Sequence, residues 1–154
     1  MLKNRIALAA VAGSAALVPL AGISALTTGV ASAKTPKGIS CSTLSGKVKS
    51  SGTAKINLSN CTGNTGGSGK SKGSATASSG TVTWANGKST TSSESYASGT
   101  GCPSGDVSEA ISGSVTADTT KSTAKGAPLS ATVCYNSTTS KLSLAPGTKF
   151  TFGA

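Results

Sequence analysis

The chemistry open to this chain is narrowed first by a residue type it lacks. None of its 154 residues is histidine, which removes Ser-His-Asp and Cys-His nucleophilic catalysis and any imidazole metal site. Carboxylate, lysine, tyrosine or serine chemistry remains. The four acids, Glu94, Asp106, Glu109 and Asp118, are the candidates for a glycoside-cleaving pair, in which one carboxyl protonates the leaving oxygen and the other acts as base or nucleophile. No two of them stand at a spacing that marks such a pair, and solvated charges on a basic surface explain them equally. Ser68 with Lys70, or Ser71 with Lys72, would serve formally as a Ser-Lys dyad, but serine and lysine are too abundant here for adjacency to carry information. The run Gly66-Gly67-Ser68-Gly69-Lys70-Ser71 invites comparison with a phosphate loop, yet it lacks the required glycine spacing and no helical pattern follows it.

Four cysteines, Cys41, Cys61, Cys102 and Cys134, offer either a metal site or disulfides. No Cys-x-x-Cys pair occurs and no histidine can complete a zinc site, so disulfides are expected and no cofactor or metal. Of the three possible connectivities, Cys41 with Cys61 and Cys102 with Cys134 each closes a moderate loop between neighbouring segments. The chain-entropy relation gives about 3 to 4 kcal/mol for each bridge.

An even cysteine count suits an exported protein, and the N-terminus agrees. Lys3 and Arg5 precede an uncharged apolar run from Ile6 to Leu26, and Ala31-Ser32-Ala33 has the small-x-small form that signal peptidase accepts. Residues 1–33 therefore read as a cleavable signal peptide and 34–154 as one secreted β domain, with no transmembrane anchor after cleavage. Without Lys3 and Arg5 the domain carries 12 lysines against four acids, a net charge of +8. That field concentrates the protein near polyanions, and Lys47, Lys49, Lys55, Lys70 and Lys72 are the candidate contacts to an anionic cell-wall polymer or glycan. The competing explanation is that lysine keeps a strand-rich protein soluble and its edges unpaired. Nucleic acid is a poor match, because the domain has no arginine for bidentate base contacts and few aromatic residues for stacking.

These side chains must be positioned by strands. No stretch of residues 34–154 sustains helical apolar spacing, whereas short alternating runs recur between Gly, Asn, Pro and Ser clusters. A first hairpin turns at Ser50-Ser51-Gly52 and pairs Val48 with Ala54, Gly46 with Ile56, Leu44 with Leu58 and Lys47 with Lys55. That register sets Cys41 opposite Cys61, on the lysine face, so the bridge is either external or preceded by a bulge. Residues 62–74 are so polar and glycine-rich that they read as a mobile loop. A second hairpin turns on Asn86-Gly87 as a two-residue type I′ turn, pairing Trp84 with Ser89 and Val82 with Thr91 and sending Glu94 and Tyr96 to the reverse face. Trp84 is read as core or hairpin cap in preference to a sugar-stacking residue. Gly99 to Gly105 is a cross-linked loop. Strands are expected at 107–118, despite a weakly helical look, and at Leu129 to Tyr135, at Leu142 and Leu144, and at Phe150 and Phe152 after the Pro146-Gly147 turn.

The hairpin Trp84-Ala85-Asn86-Gly87, the strand Gly113-Ser114-Val115-Thr116 and the late Pro146-Gly147-Thr148 resemble small exported actinobacterial proteins of uncharacterised function. The resemblance spans residues 40–152 and implies export and a β fold, without assigning any functional residue.

The expectation is an all-β fold, a single small disulfide-linked β-sandwich or barrel of about eight or nine short antiparallel strands. Large aliphatic and Phe residues number only 15 in residues 34–154, a thin core that leans on its cross-links. Function divides between a non-enzymatic basic domain binding envelope polyanions, a small carbohydrate-active enzyme using two of the acids, and a secreted effector or inhibitor whose loops 62–74 or 99–105 engage a protein partner. The cysteine reading makes a direct prediction: a thiol titration of unreduced protein returns no free thiol, and the four appear only after reduction, together with a large loss of thermal stability. Four free thiols in a protein that still melts cooperatively would overturn it.

Overall fold

The computed structural model describes residues 35–154; the expected signal peptide, 1–33, lies outside the described residues. Nine strands follow one another, β1 (Ile39–Val48), β2 (Thr53–Cys61), β3 (Ser68–Ser74), β4 (Ser79–Trp84), β5 (Ser89–Ser98), β6 (Val107–Asp118), β7 (Pro128–Asn136), β8 (Lys141–Leu144) and β9 (Phe150–Phe152). Each pairs antiparallel with the next through β8, and β1 returns to pair with β2 on one side and with β8 and β9 on the other. The result is a closed eight-stranded up-and-down barrel plus one extra strand, which decides between barrel and sandwich. The short β8 and β9 share one place in the wall: β8 fills the gap between β7 and β1 near Tyr135 and Lys47, and β9 fills it near Leu129 and Ile39. Among the described residues no helix is long and apolar enough to cross a membrane.

The β1–β2 hairpin has the register its sequence predicts, Val48 with Ala54 through to Cys41 with Cys61, and Gly52 takes the left-handed φ of 75° that its loop requires. Cys41 and Cys61 are bonded, as are Cys102 and Cys134. The doubt about the first bridge resolves inward. Cys41 is fully buried, while the inward set of β1 changes from Ile39 and Cys41 to Leu44 across the exposed Ser42 and Thr43. Opposite them Asn60 adopts a left-handed φ of 53°, so the strand pair kinks there without losing register. This is how a residue on the lysine face reaches the core.

Two expectations are corrected. Residues 62–74 are not one mobile loop: Ser68–Ser74 is a strand, held between β2 and β4. Gly69 is what allows it to pack. A Cβ on Gly69 would run into the Trp84 ring and come within 2.6 Å of Val82 Cγ1, so the missing side chain is the space the indole occupies. The second hairpin is displaced by one residue, pairing Val82 with Thr90 and Thr83 with Ser89. Its loop has three residues, Ala85-Asn86-Gly87, with only Gly87 at positive φ, and Trp84 donates its N–H to the Lys88 carbonyl at 2.8 Å. A one-residue slip reverses every side chain, so Thr90, Ser92, Glu94 and Tyr96 point inward instead of Glu94 and Tyr96 pointing out. The physical reason lies in the buried indole: Trp84 Nε1 donates to Thr90 Oγ1 at 2.8 Å, a bond the other register would forfeit, leaving a buried donor unpaired.

Large side chains concentrate at one end of the barrel. Trp84 lies edge-on to Phe152, and Phe152 packs against Phe150, with Ile39, Leu58, Val115 and Leu129 buried around them. Trp84 is thus a core residue. Toward the other end the inward positions of β2, β3 and β4 are Ala54, Ser71, Gly73 and Gly80, and the interior is left partly open. The Cys102–Cys134 bridge ties the 99–106 loop to the outward, buried side of β7.

Gly69→Ala is expected to destabilise by about 1–3 kcal/mol through overpacking against Trp84 and Val82. Gly73→Ala, where an added Cβ meets nothing within 4 Å, should be neutral or stabilising by up to about 1 kcal/mol. Thermal melts of the pair check the assignment of β3; equal effects would refute it.

Candidate functional site

Two parts of the barrel gather groups capable of binding, one outside the wall and one inside. Outside, the register places Lys72 beside Lys55, Lys55 beside Lys47, and Lys47 beside Lys141. Four exposed lysines therefore form one lateral row across β3, β2, β1 and β8. At a strand spacing of about 4.8 Å the row is about 14 Å long. Lys70 shares the outward face of β3 two residues from Lys72, and Lys49 follows Lys47 just past the end of β1. The five lysines singled out by sequence thus lie on one side of the barrel, three of them in strict register. Lys141 was missed. The alternation of Lys141, Leu142, Ser143 and Leu144 turns its side chain outward, but its place beside Lys47 exists only because the barrel closes.

Like charges directly opposite one another on a sheet are destabilising, and the register places no acid in the row to relieve them. Asp106 accepts from Asn136 Nδ2 at 2.7 Å. Asp118 sits at the packed end, where it accepts from Thr90 Oγ1 at 2.7 Å, from both the hydroxyl and backbone N–H of Thr120, and from the backbone N–H groups of Ser122 and Thr123. Because Thr90 also accepts from Trp84, one carboxylate links the core indole to the 119–123 turn, where Lys121 holds a φ of 61°. Burial opposes the charge on Asp118, but the bonds from Thr90, Thr120 and Thr123 outweigh it and hold the carboxyl below its usual 3.8.

The other two acids lie inside. The partly open end of the barrel contains a cavity of ≈ 590 Å³ lined by aliphatic side chains of β1, β2, β4, β6, β7 and β8 and by Glu94, Tyr96, Glu109, Tyr135 and Phe150. A volume of that size is typical of small-molecule sites. Tyr96 Oη donates to Glu94 Oε2 at 2.6 Å and Ser92 Oγ donates to Oε1 at 3.2 Å, so the Glu94 carboxylate is oriented. Gly80 lies directly beneath it: a Cβ there would collide with Oε1. Glu109 stands opposite Ser98, diagonal to Tyr96 across the β5–β6 pair. Burial pushes the Glu109 carboxyl above its usual 4.5. Burial, the bond to Glu94 and the charges of Glu94 and Glu109 all raise the Tyr96 phenol well above 10.0. Two carboxyl groups and one phenol, on a lining that joins aliphatic side chains to Ser71, Ser74, Thr76, Ser79 and Thr81, form a locus of negative charge inside a basic protein.

Sequence reading named all four acids but had no means of grouping them. The barrel brings Glu94 and Glu109 together and keeps Asp106 and Asp118 apart from them. Among the described residues no cluster of Cys, Asp or Glu is arranged to hold a metal ion. Compared with protein-family models, curated proteins and solved structures, the chain matches none.

The Asp118 network gives a pH signature. With its folded value below 3.8, Asp118 contributes stability that is complete above that pH and is lost as pH falls through the folded value. Glu109 acts with the opposite sign, since its raised value favours the protonated form. Asp118→Asn should cost about 1–3 kcal/mol at neutral pH through the broken network and remove this share of the acid-induced loss, so that mutant and wild-type stability converge once pH falls below the folded value of Asp118. Chemical denaturation between pH 2 and 7, on the order of one unit per step, tests this; a difference independent of pH would refute the assignment.

Proposed function

We propose that this is a secreted, non-enzymatic binding domain whose lysine face holds an anionic polymer of the cell envelope. The observation that carries the reading is the row Lys72, Lys55, Lys47 and Lys141, extended by Lys70 and Lys49. A row of like charges with no acid beside it stores repulsion, and an anionic chain lying across the strands relieves it at every lysine. Phosphate- or carboxylate-bearing glycans supply such a ligand, and their repeating charge suits a linear array better than a single pocket would. The two disulfides suit an oxidising compartment, and the N-terminal apolar run ending in Ala31-Ser32-Ala33 supports export.

Lysines on an open β surface interact through solvent, so binding should depend steeply on ionic strength. The screening length shrinks from about 30 Å at 0.01 M salt to about 3 Å at 1 M. Co-sedimentation with anionic cell wall is expected at low salt and should disappear at high salt. Replacing Lys47, Lys55 and Lys72 together by Gln should weaken binding by about 1 kcal/mol per lysine and flatten the salt dependence. The same variant should melt no lower than wild type, because it removes repulsion. Retention that is insensitive to salt, or that survives the triple substitution, would refute the proposal.

A further inference from the structure

Of the five aromatic side chains in residues 34–154, three, Tyr96, Tyr135 and Phe150, line the inner cavity, and two of the four acids share it. This distribution is unlike the rest of the molecule. The exterior is lysine-rich, and at the packed end the one carboxylate, Asp118, is enclosed in hydrogen bonds, whereas in the cavity aliphatic walls and aromatic rings stand beside Glu94 and Glu109. We infer that the cavity is a binding site for a small organic ammonium with an apolar body, its cationic head held by Glu94 and Glu109 beside Tyr96 and its apolar part in the barrel interior.

Three observations carry this inference. Glu94 is presented to the cavity with its carboxylate fixed by Tyr96 and Ser92, and the absence of a Cβ at Gly80 leaves room for it. An oriented anion in a partly desolvated space attracts a cation far more strongly than the same group in water. The aromatic faces add to this, since tyrosine and phenylalanine rings favour ammonium groups through their quadrupoles. Finally, the aliphatic lining, Leu44, Ile56, Val82, Ile111, Val133 and Leu142, rewards an apolar body. Val107 continues that lining and remains 59% exposed, an apolar residue bared where the cavity opens. Lys72 is the one cation among the lining residues, but it is exposed and belongs to the outer row.

The charge pattern also selects against alternatives. A fatty acid or other anionic amphiphile would bring a carboxylate against Glu94 and Glu109, and a neutral alcohol would leave them without a counter-charge. The site is distinct from the lysine row in position and in the sign of its charge, so the two binding activities should vary independently.

The test uses the disulfide-bonded protein and three probes of equal chain length, decyltrimethylammonium below its micellar concentration, decanol and decanoate, followed by calorimetry and by NMR shifts of Tyr96, Ile111 and Val133. The ammonium is expected to bind at least about tenfold more tightly than decanol, the equivalent of about 1.4 kcal/mol, with decanoate weakest and with shifts confined to cavity residues. Glu94→Gln with Glu109→Gln should remove the preference for ammonium while leaving decanol binding in place. Gly80→Ala, which displaces the Glu94 carboxylate, should weaken the ammonium alone. A variant with Lys47→Gln and Lys55→Gln, neither of which lines the cavity, should bind the ammonium as wild type does, which separates this inference from the lysine-face reading. Equal or tighter binding of decanol or decanoate by wild type, shifts outside the cavity, or no binding of the ammonium would each overturn the proposal without reference to any variant.

Discussion

Closure of the sheet through β1 is the constraint on which the rest of this structure depends. β1 is hydrogen-bonded along both edges, to β2 on one side and to β8 and β9 in succession on the other. With the ring closed, every strand has a neighbour on both sides, and although the seam between β3 and β4 is short, pairing Gly69 with Trp84 and Lys70 with Thr83, little edge is left open to aggregation. For a domain with so few large aliphatic side chains this matters more than usual. Much of its order comes from the cooperative ladder and two cross-links, and the first cross-link clamps β1 to β2 at the packed end, where Cys41 is fully buried.

The same scarcity of bulk shapes the interior. An eight-stranded barrel has an inside just wide enough to be filled by side chains or to hold one small ligand. Here the available bulk, Trp84, Phe150, Phe152, Ile39, Leu58 and Leu129, is spent at one end. The inward positions left to the other end are filled largely by small residues such as Ala54, Ser71, Gly73 and Gly80, and a cavity follows. Polar groups are divided accordingly. Asp118 organises the packed end by tying the Trp84 indole, through Thr90, to the 119–123 turn, whereas Glu94 and Glu109 face the empty end. Burial penalises the charge on Glu109, and a fold chosen for stability alone has no use for such a carboxyl. Residues that cost stability in a cavity are characteristic of binding sites.

Charge is consequently sorted by surface. Lysine occupies the outward positions of β1, β2, β3 and β8, and the acids turn inward or into turns. An outer face bearing lysines and an inner space lined by carboxyl groups are compatible in one small protein because the wall between them is a single sheet whose successive side chains point to opposite sides.

Much of this was legible in the residues themselves. The strand at Leu129 to Tyr135, the first hairpin with its register, and the pairing of Cys41 with Cys61 all follow from short-range alternation and turn chemistry, which act between neighbours in sequence. Where reading failed, a longer-range interaction had overruled a local rule. Asn86-Gly87 locally favours a two-residue turn, but the need to satisfy the buried Trp84 indole selected a three-residue loop and so turned Glu94 and Tyr96 inward. Ser68–Ser74 looks too polar and glycine-rich to be ordered, but the Trp84 ring requires a strand without a Cβ at Gly69. The sequence by itself determined the class of fold, the cross-links and the sign of the charge, because composition and nearest-neighbour spacing suffice for these. Only the tertiary structure decided that the sheet closes into a barrel, that Lys141 joins Lys47, and that Glu94 and Glu109 line one cavity, because each depends on the register in which the ring shuts.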